Sequence, residues 1–345
     1  MRAVPKAELH LHSEAVISRR TVKRMMAKHR KSSVTQKDIN ELFSYTDLPG
    51  FLDAFIKIQN FFVTEDDLEY ITKDLDSYLE DNNIVYCEAF FSPTSYVGRG
   101  FDFHKMISVL GDGIKKIGSR KSGPDGMGRT VRILVDVSRS FGVRNAMRNL
   151  DLVLGEKSAY IIGIGLGGDE NASGAKDFKK IFDKARAGGL HTVVHAGEVC
   201  EPDSITDCIK YLRPERIGHG ISVVHDKNVM RECRDRALAF EVCPTSNVFM
   251  GTYVKSLRDH PVRRMYEEGL LVTLNTDDPA FFKVSLLDEY WNLYSKLGFS
   301  LDDIHAVLLN GFKAAFISES KKKSYCRQAD RAWKEWFASH PDITS

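Results

Sequence analysis

Eight short apolar runs, most of them followed by a helix-compatible stretch, constrain the fold of this chain more than any other feature. They lie at Ala7–His12, Ile84–Phe91, Val131–Val137, Tyr160–Leu166, His191–His195, Arg216–His219, Leu238–Cys243 and Leu271–Thr276. Several, such as Val131–Val137, are rich in β-branched residues, which suits parallel strands covered on both faces. Segments such as Asp177–Ala187 and Asp226–Arg236 carry the helical pattern between neighbours. Eight strand–helix units predict an α/β chain folded as a (β/α)₈ TIM barrel, usually about 250 residues before insertions. A doubly wound open sheet fits the same alternation, and only the placement of polar residues separates the two.

The chain has 345 residues, more than a bare barrel needs. The surplus falls in two places. Residues 13–83, between the first two strands, must hold extra helices, one of them amphipathic and starting at Leu48–Phe55 after a Pro49-Gly50 turn. From Ser318 a helical tail carries Trp333 and Trp336, expected to pack on the barrel. No linker-like segment divides the sequence, so one domain is expected over residues 1–345.

Composition excludes several functions. With 43% hydrophobic and 28% charged residues the chain is neither disordered nor fibrous. The balance of 49 basic and 47 acidic residues, +2, argues against nucleic-acid partners, which need a concentrated basic face. Lys321–Lys323 reads as a solvated helix end. No run approaches the roughly 20 apolar residues of a membrane span, and the N-terminus lacks the apolar stretch of a secretory signal. The six Cys, at 87, 200, 208, 233, 243 and 326, form no C-x-x-C pair and read as reduced thiols. A soluble cytoplasmic protein with no membrane partner is expected. Gly163–Gly168 matches the letters of G-x-G-x-x-G, but its first two glycines fall inside a strand and no helix starts at the third. A dinucleotide site is therefore not expected.

Polar residues that would be awkward in buried strands collect at strand C-terminal ends. His10 and His12 close the first, His195 the fifth with Glu198 just beyond, His219 the sixth, and Asp277-Asp278 the eighth. In a barrel these ends open onto one face, where active sites are built. His10 and His12, two residues apart, project from the same side of their strand. Two imidazoles, a third from another strand and a carboxylate suit Zn²⁺. A lone strand-end His is more often a satisfied polar residue; recurrence at four of eight ends is what chance explains poorly. The other histidines, at 29, 104, 191, 225, 260, 305 and 340, sit in helices, loops or strand starts and read as structural.

Five motifs in order carry a resemblance: Pro5-Lys6-Ala7-Glu8-Leu9-His10-Leu11-His12, His195-Ala196-Gly197-Glu198, Arg216-Ile217-Gly218-His219-Gly220, Cys243-Pro244-Thr245-Ser246-Asn247 and Asn275-Thr276-Asp277-Asp278-Pro279. From residue 5 to about 285 the sequence resembles the adenosine deaminase family of metal-dependent aminohydrolases, whose fold is a (β/α)₈ barrel. The resemblance implies one Zn²⁺ per chain, held by His10, His12, His195 and Asp277. It makes Glu198 the proton donor to purine N1, and has His219 orient the attacking water and help deprotonate it. Asp278 would pair with purine N7 and the Gly168 N–H with N3. Leu48, Phe51, Leu52 and Phe55 match the family's apolar helix beside the site, although such spacing serves plain core packing equally well. The partner is a small-molecule purine nucleoside or base; the oligomeric state is left open.

The chemistry needs such a set. Replacing an aromatic amine by water requires a strong nucleophile, and a metal supplies it by lowering water's pKa from 15.7 to roughly 7. Attack at C6 places negative charge at N1, which must be protonated, so a carboxyl kept protonated by apolar surroundings is required there. No organic cofactor is involved.

One departure bears on the substrate. After His12 the family usually continues with a hydrophobic residue, an acid and Gly; here the residues are Ser13-Glu14-Ala15. In adenosine deaminases that acid is typically Asp near the ribose 5′-hydroxyl, whereas Glu is more typical of relatives acting on adenine or 5′-substituted adenosines. The expected activity is deamination of adenosine to inosine and ammonia. The alternatives are a 5′-modified adenosine such as 6-aminodeoxyfutalosine, or adenine, and more remotely a catalytically silent binding protein.

Overall fold

The computed structural model describes residues 1–29, 34–46, 48–120 and 128–340, with the side chains of residues 48 and 49 outside the description. Eight strands form one parallel sheet in sequential order: β1 (Lys6–His12), β2 (Ile84–Phe91), β3 (Thr130–Asp136), β4 (Ile161–Leu166), β5 (His191–Ala196), β6 (Arg216–His219), β7 (Ala239–Val242) and β8 (Leu271–Leu274). Beyond β8 the chain returns to β1, where His12 N donates to Asp277 O at 2.9 Å and Asp277 N to His10 O at 3.1 Å. Directly after β8, the Asn275 side-chain carbonyl accepts from the Leu9 and His10 amides at 2.9 and 3.1 Å. These contacts all but close the barrel. A doubly wound open sheet would instead place β1 inside the sheet, with the strand order reversing beside it and two edges left unpaired.

Most of the apolar core lies between the strands and the outer helices. Inside the barrel a smaller cluster of Phe90, Leu134 and Val193 packs with Ile162 and Phe316. Gly165 of β4 is required by this packing, because a Cβ there would lie 2.4 Å from the Phe90 ring. The glycines of Gly163–Leu166 therefore serve strand packing, and the next regular α-helix begins only at Lys179.

The two surplus regions are helical. Between β1 and β2 lie helices Arg19–His29, Gln36–Leu42, Leu48–Gln59 and Glu69–Asn82. Pro49-Gly50 forms part of the first turn of Leu48–Gln59 and not a turn before it. Proline needs no N–H partner there, and its fixed φ is already helical. At the other end, helix Leu301–Ala314 covers β8 and β1, and helix Glu319–Ala338 packs on it. Trp333 is buried and stacks on His305, with ring centroids 4.9 Å apart. The tail also touches the barrel directly: Tyr325 OH lies 3.3 Å from Thr130 Oγ1 of β3, and its ring is 6.1 Å from that of Tyr86 on β2. No described helix is long and apolar enough to cross a membrane, and the six cysteines are free thiols.

Candidate metal centre and active site

Each strand-end residue singled out above lies at the same mouth of the barrel. The His10 ring is 4.6 Å from that of His195, 4.8 Å from that of His219 and 5.6 Å from that of His12, measured between centroids. Phe90 floors the cluster, with His10 at 4.8 Å and His12 stacked at 5.3 Å. Asp277 reaches in from beyond β8, its Oδ1 lying 3.4 Å from His10 Nε2 and 3.2 Å from His12 Nε2. Its backbone has φ 65°, and that of His219 has φ 59°. Such left-handed conformations cost a non-glycine residue about 1–3 kcal/mol and gather at functional sites.

Three buried atoms converge here without a hydrogen-bond partner: His10 Nε2, His195 Nε2 and Asp277 Oδ1. A buried polar atom left unpaired costs about 1–3 kcal/mol, so three together need a common partner. The donor set is nitrogen and carboxylate oxygen, which suits Zn²⁺. With Zn–ligand bonds of about 2.0–2.2 Å, tetrahedral ligand atoms stand roughly 3.4 Å apart. The spacings from Asp277 to His10 and His12 match this. His10, His12 and Asp277 bring ligand atoms within 4.8 Å of one another, as do His10, His195 and His219, so this mouth has a donor set that fits a divalent ion.

The surrounding contacts orient these side chains. Glu241 Oε2 lies 2.8 Å from His10 Nδ1, and Arg216 Nε donates to Glu241 Oε1 at 2.5 Å. Burial alone would raise the pKa of Glu241, but Arg216 and His10 outweigh it and hold the carboxyl below its usual range. A carboxylate only accepts, so Nδ1 carries the hydrogen and Nε2 keeps a lone pair for the cluster. Ser246 donates to Asp277 Oδ2 at 2.7 Å, leaving Oδ1 to face the histidines. Asn247 Nδ2 lies 3.2 Å from His219 Nδ1, and Asn247 Oδ1 lies 3.2 Å from His260 Nε2. His219 thus turns Nε2 toward Glu198, whose Oε2 is 3.6 Å away. Burial pushes the pKa of His219 down to about 3, against the pull of Asp277.

Glu198 sits just after β5 on the turn Gly197–Cys200. Burial, reinforced by the Asp277 and Glu170 carboxylates, holds it well above the usual carboxylate range. Asp278 is buried and raised to about 8, by burial first and by Asp277 second. Gly168 has φ 87°, and a Cβ there would lie 2.5 Å from Ser140 Oγ, so a side chain is barred on both counts.

Glu14 occupies the 3₁₀ turn Ser13–Val16 directly after β1. It is 1% exposed, accepting from Ser92 N at 3.0 Å and from Ser13 Oγ at 2.8 Å. Burial raises its pKa to about 7 against those two donors. In helix Leu48–Gln59, Phe51 is buried against Phe281 and Phe282, at 5.5 and 5.2 Å between centroids, and Phe55 packs on Phe281 at 5.3 Å. Phe281 and Phe282 belong to the helix that follows Asp278, so this pair flanks the site through a packed aromatic layer. Leu52 is 47% exposed and stands apart from that layer. The Leu48 side chain lies outside the described residues.

Sequence reasoning missed the supporting residues Glu170, Glu241, Arg216, Ser246 and His260. Arg216, Glu241 and also Glu88 were visible as charges inside otherwise apolar strands. His260 was read as structural, yet it is buried behind His219 through Asn247.

The chain is similar to known deaminases in sequence and in fold. A family model described as Adenosine deaminase matches residues 5–331. An aminodeoxyfutalosine deaminase of Streptomyces coelicolor is 30% identical over 340 residues, covering 97% of this chain and 86% of that one. An adenine deaminase of Rhizobium leguminosarum bv. trifolii is 32% identical over 324 residues, 92% of this chain and 97% of that one. Among solved structures, an adenine deaminase from Arthrobacter aurescens superposes with a TM-score of 0.88 at 26% identity, covering 96% of this chain and 100% of that one.

Proposed function

The chain belongs to the adenosine deaminase family of hydrolytic deaminases, and we propose that it removes the 6-amino group of an adenine ring carried by the free base or by a 5′-modified adenosine. The observation that carries the chemistry is the convergence of three unpartnered buried atoms, on His10, His195 and Asp277, with Glu198 and His219 at the same mouth.

When bound by His10, His12, His195 and Asp277, Zn²⁺ would acidify water for attack on C6. His219, oriented by Asn247, receives the proton of the attacking water at Nε2. Glu198 delivers a proton to N1, where charge gathers as C6 becomes tetrahedral. The C6–N bond then breaks as the amine takes the proton held by His219 and leaves as ammonia, the C6 hydroxyl proton returns to Glu198, and the 6-oxo purine keeps the proton on N1. Gly168 N–H and Asp278 would hold the ring at N3 and N7, fixing which face meets the water.

Glu14 supports placing adenosine behind the other substrates. Both its oxygens already accept from the chain's own Ser13 and Ser92, so the buried carboxylate is paired within the protein and does not depend on a ribose 5′-hydroxyl for a donor. Free adenine asks nothing of Glu14 and is the first reading, in keeping with the adenine deaminase relatives. A 5′-modified adenosine is second, in keeping with the aminodeoxyfutalosine deaminase relative.

Initial rates on adenine, adenosine, methylthioadenosine and 6-aminodeoxyfutalosine at equal concentration test this. Adenine or a 5′-modified nucleoside should give the highest kcat/KM. A clear preference for adenosine would overturn the substrate assignment, and no ammonia from any of the four would overturn the activity.

A further inference from the structure

Glu170 is nearly buried, and its carboxylate is wrapped by one turn of backbone. Oε2 accepts from the amides of Glu198, Val199 and Cys200 at 3.1, 3.0 and 3.1 Å. Oε1 accepts from Gly197 N at 2.5 Å and from Ser204 Oγ at 2.9 Å. Four consecutive amides facing one carboxylate form an anion-binding nest, here filled by the protein itself. The turn so gripped carries Glu198, the group assigned to protonate N1, and Gly197 holds φ 68° within it. Glu170 itself lies two residues beyond Gly168, whose N–H is assigned to N3 of the ring. Ser140 Oγ, accepting from Asp169 N at 2.9 Å, pins this segment as well.

We infer that Glu170 is a positioning residue that ties the ring-reading segment Gly167–Asp169 to the acid's turn Gly197–Cys200, so that a ring seated on Gly168 meets Glu198 in register for proton transfer. The inference rests on the proposed deamination. Its physical basis is that general-acid catalysis tolerates little misplacement, a displacement of about 1 Å costing as much as 10²-fold. A hydrogen-bonded carboxylate bridging two loops fixes their separation. Substituting Gln keeps one acceptor oxygen and turns an NH₂ toward the amide donors, which opens the nest without removing side-chain volume.

If Glu170 acts through Glu198, its loss should lower kcat and leave ground-state binding nearly intact. Glu170→Gln should reduce kcat by about 10- to 100-fold, with the Kd of the 6-oxo product and the zinc content changed less than about 3-fold. Affinity for a stable analogue with a tetrahedral hydroxylated C6 and a proton on N1 should fall in step with kcat. In a Glu198→Gln background the same substitution should have almost no further effect on kcat, since the group it positions is already disabled. Ser204→Ala, which removes one donor to Oε1, should show a smaller loss that also vanishes in that background. It serves if Glu170→Gln does not fold. Amide hydrogen exchange should accelerate at Gly197–Cys200 in Glu170→Gln while the rest of the barrel stays protected.

Equal losses in both backgrounds would overturn the positioning role and leave Glu170 a structural brace. So would unchanged exchange at the four amides. Wild-type protein inactive on every 6-aminopurine would instead overturn the deaminase reading on which the inference rests.

Discussion

Glu241 Oε2 stands 2.8 Å from Nδ1 of His10 and thereby decides which ring nitrogen of His10 faces the mouth of the barrel. Glu241 is in turn held by Arg216, whose other ion pair is to Glu88 on β2. Arg216 also lies over the Phe316 ring, its Cζ 3.7 Å from the centroid. A chain of charge thus runs from the floor of the barrel to a candidate metal ligand. Glu241→Gln should weaken zinc binding by about 10- to 100-fold, the usual range for partners of ligating histidines. Competition with a chromogenic chelator measures this directly, and unchanged affinity would show that the His10 tautomer is set elsewhere.

Removing the ion should destabilise the barrel as well as silence it. Ligand atoms that converge without other partners repel or stay unpaired when the metal is stripped, and a ligand present at 100 times its Kd contributes about 2.7 kcal/mol. Chelator-treated protein should melt lower than protein with excess Zn²⁺, and both melting temperature and activity should return on adding Zn²⁺. A melting temperature indifferent to chelation would remove the metal from this site.

Glu198→Gln preserves shape and removes the acidic proton. It should lower kcat by about 10² to 10⁴-fold while zinc content and product affinity stay near wild type. Turnover retained above a tenth of wild type would assign N1 protonation to another group.

Legibility in the sequence followed physical range. The eight strands were visible because burial on both faces forces near-continuous apolar runs, and Ile84–Phe91 and Arg216–His219 have the expected boundaries. The candidate site was visible where it broke that rule, at His10, His12, His195, His219 and Asp277, because imidazole and carboxylate at a buried strand end need a reason. Glu170 and Ser246 carried no such signal. Each acts on residues 27 to 34 and 31 positions away, and the partners are brought together only when neighbouring parallel strands pair, β4 beside β5 and β7 beside β8. The Pro49-Gly50 pair misled for a local reason: two turn-forming residues fit the first turn of a helix as well as the turn before one.

Glu289 offers a pH-dependent test away from the metal. It is buried on helix Leu286–Leu297, accepting from Thr245 N at 2.8 Å and from Asn292 Nδ2 at 3.2 Å. Burial raises its pKa from 4.5 to about 7 against those donors. The folded state therefore holds a proton that the unfolded chain has released between pH 4.5 and about 7. Its contribution is complete below pH 4.5 and is lost as pH rises through 7, by about 3 kcal/mol at most. Denaturant titrations should show Glu289→Gln losing less stability across that window than wild type. Parallel curves would mean that Glu289 titrates normally.

Glu14 is where substrate choice is expected to be decided. A free carboxylate near the sugar would be left to water by adenine, yet the fold supplies Ser13 Oγ and Ser92 N as donors and buries the group to 1% exposure. Glu14→Asp withdraws the carboxylate by about 1.3 Å, one carbon–carbon bond projected along the side chain. That separates it from Ser92 N and leaves an acceptor in need of a donor. A ribose 5′-hydroxyl can supply one; adenine cannot, and neither can a 5′-thioether. A buried acceptor left unpaired costs about 1–3 kcal/mol, so kcat/KM for adenosine relative to adenine and to methylthioadenosine should rise by about 5- to 150-fold. Zinc content should not change, because Glu14 contacts none of the four candidate ligands through a hydrogen bond. If all three substrates scale together, Glu14 is only a brace between Ser13 and Ser92, and discrimination must come from the Phe51–Phe55 face of the helix instead.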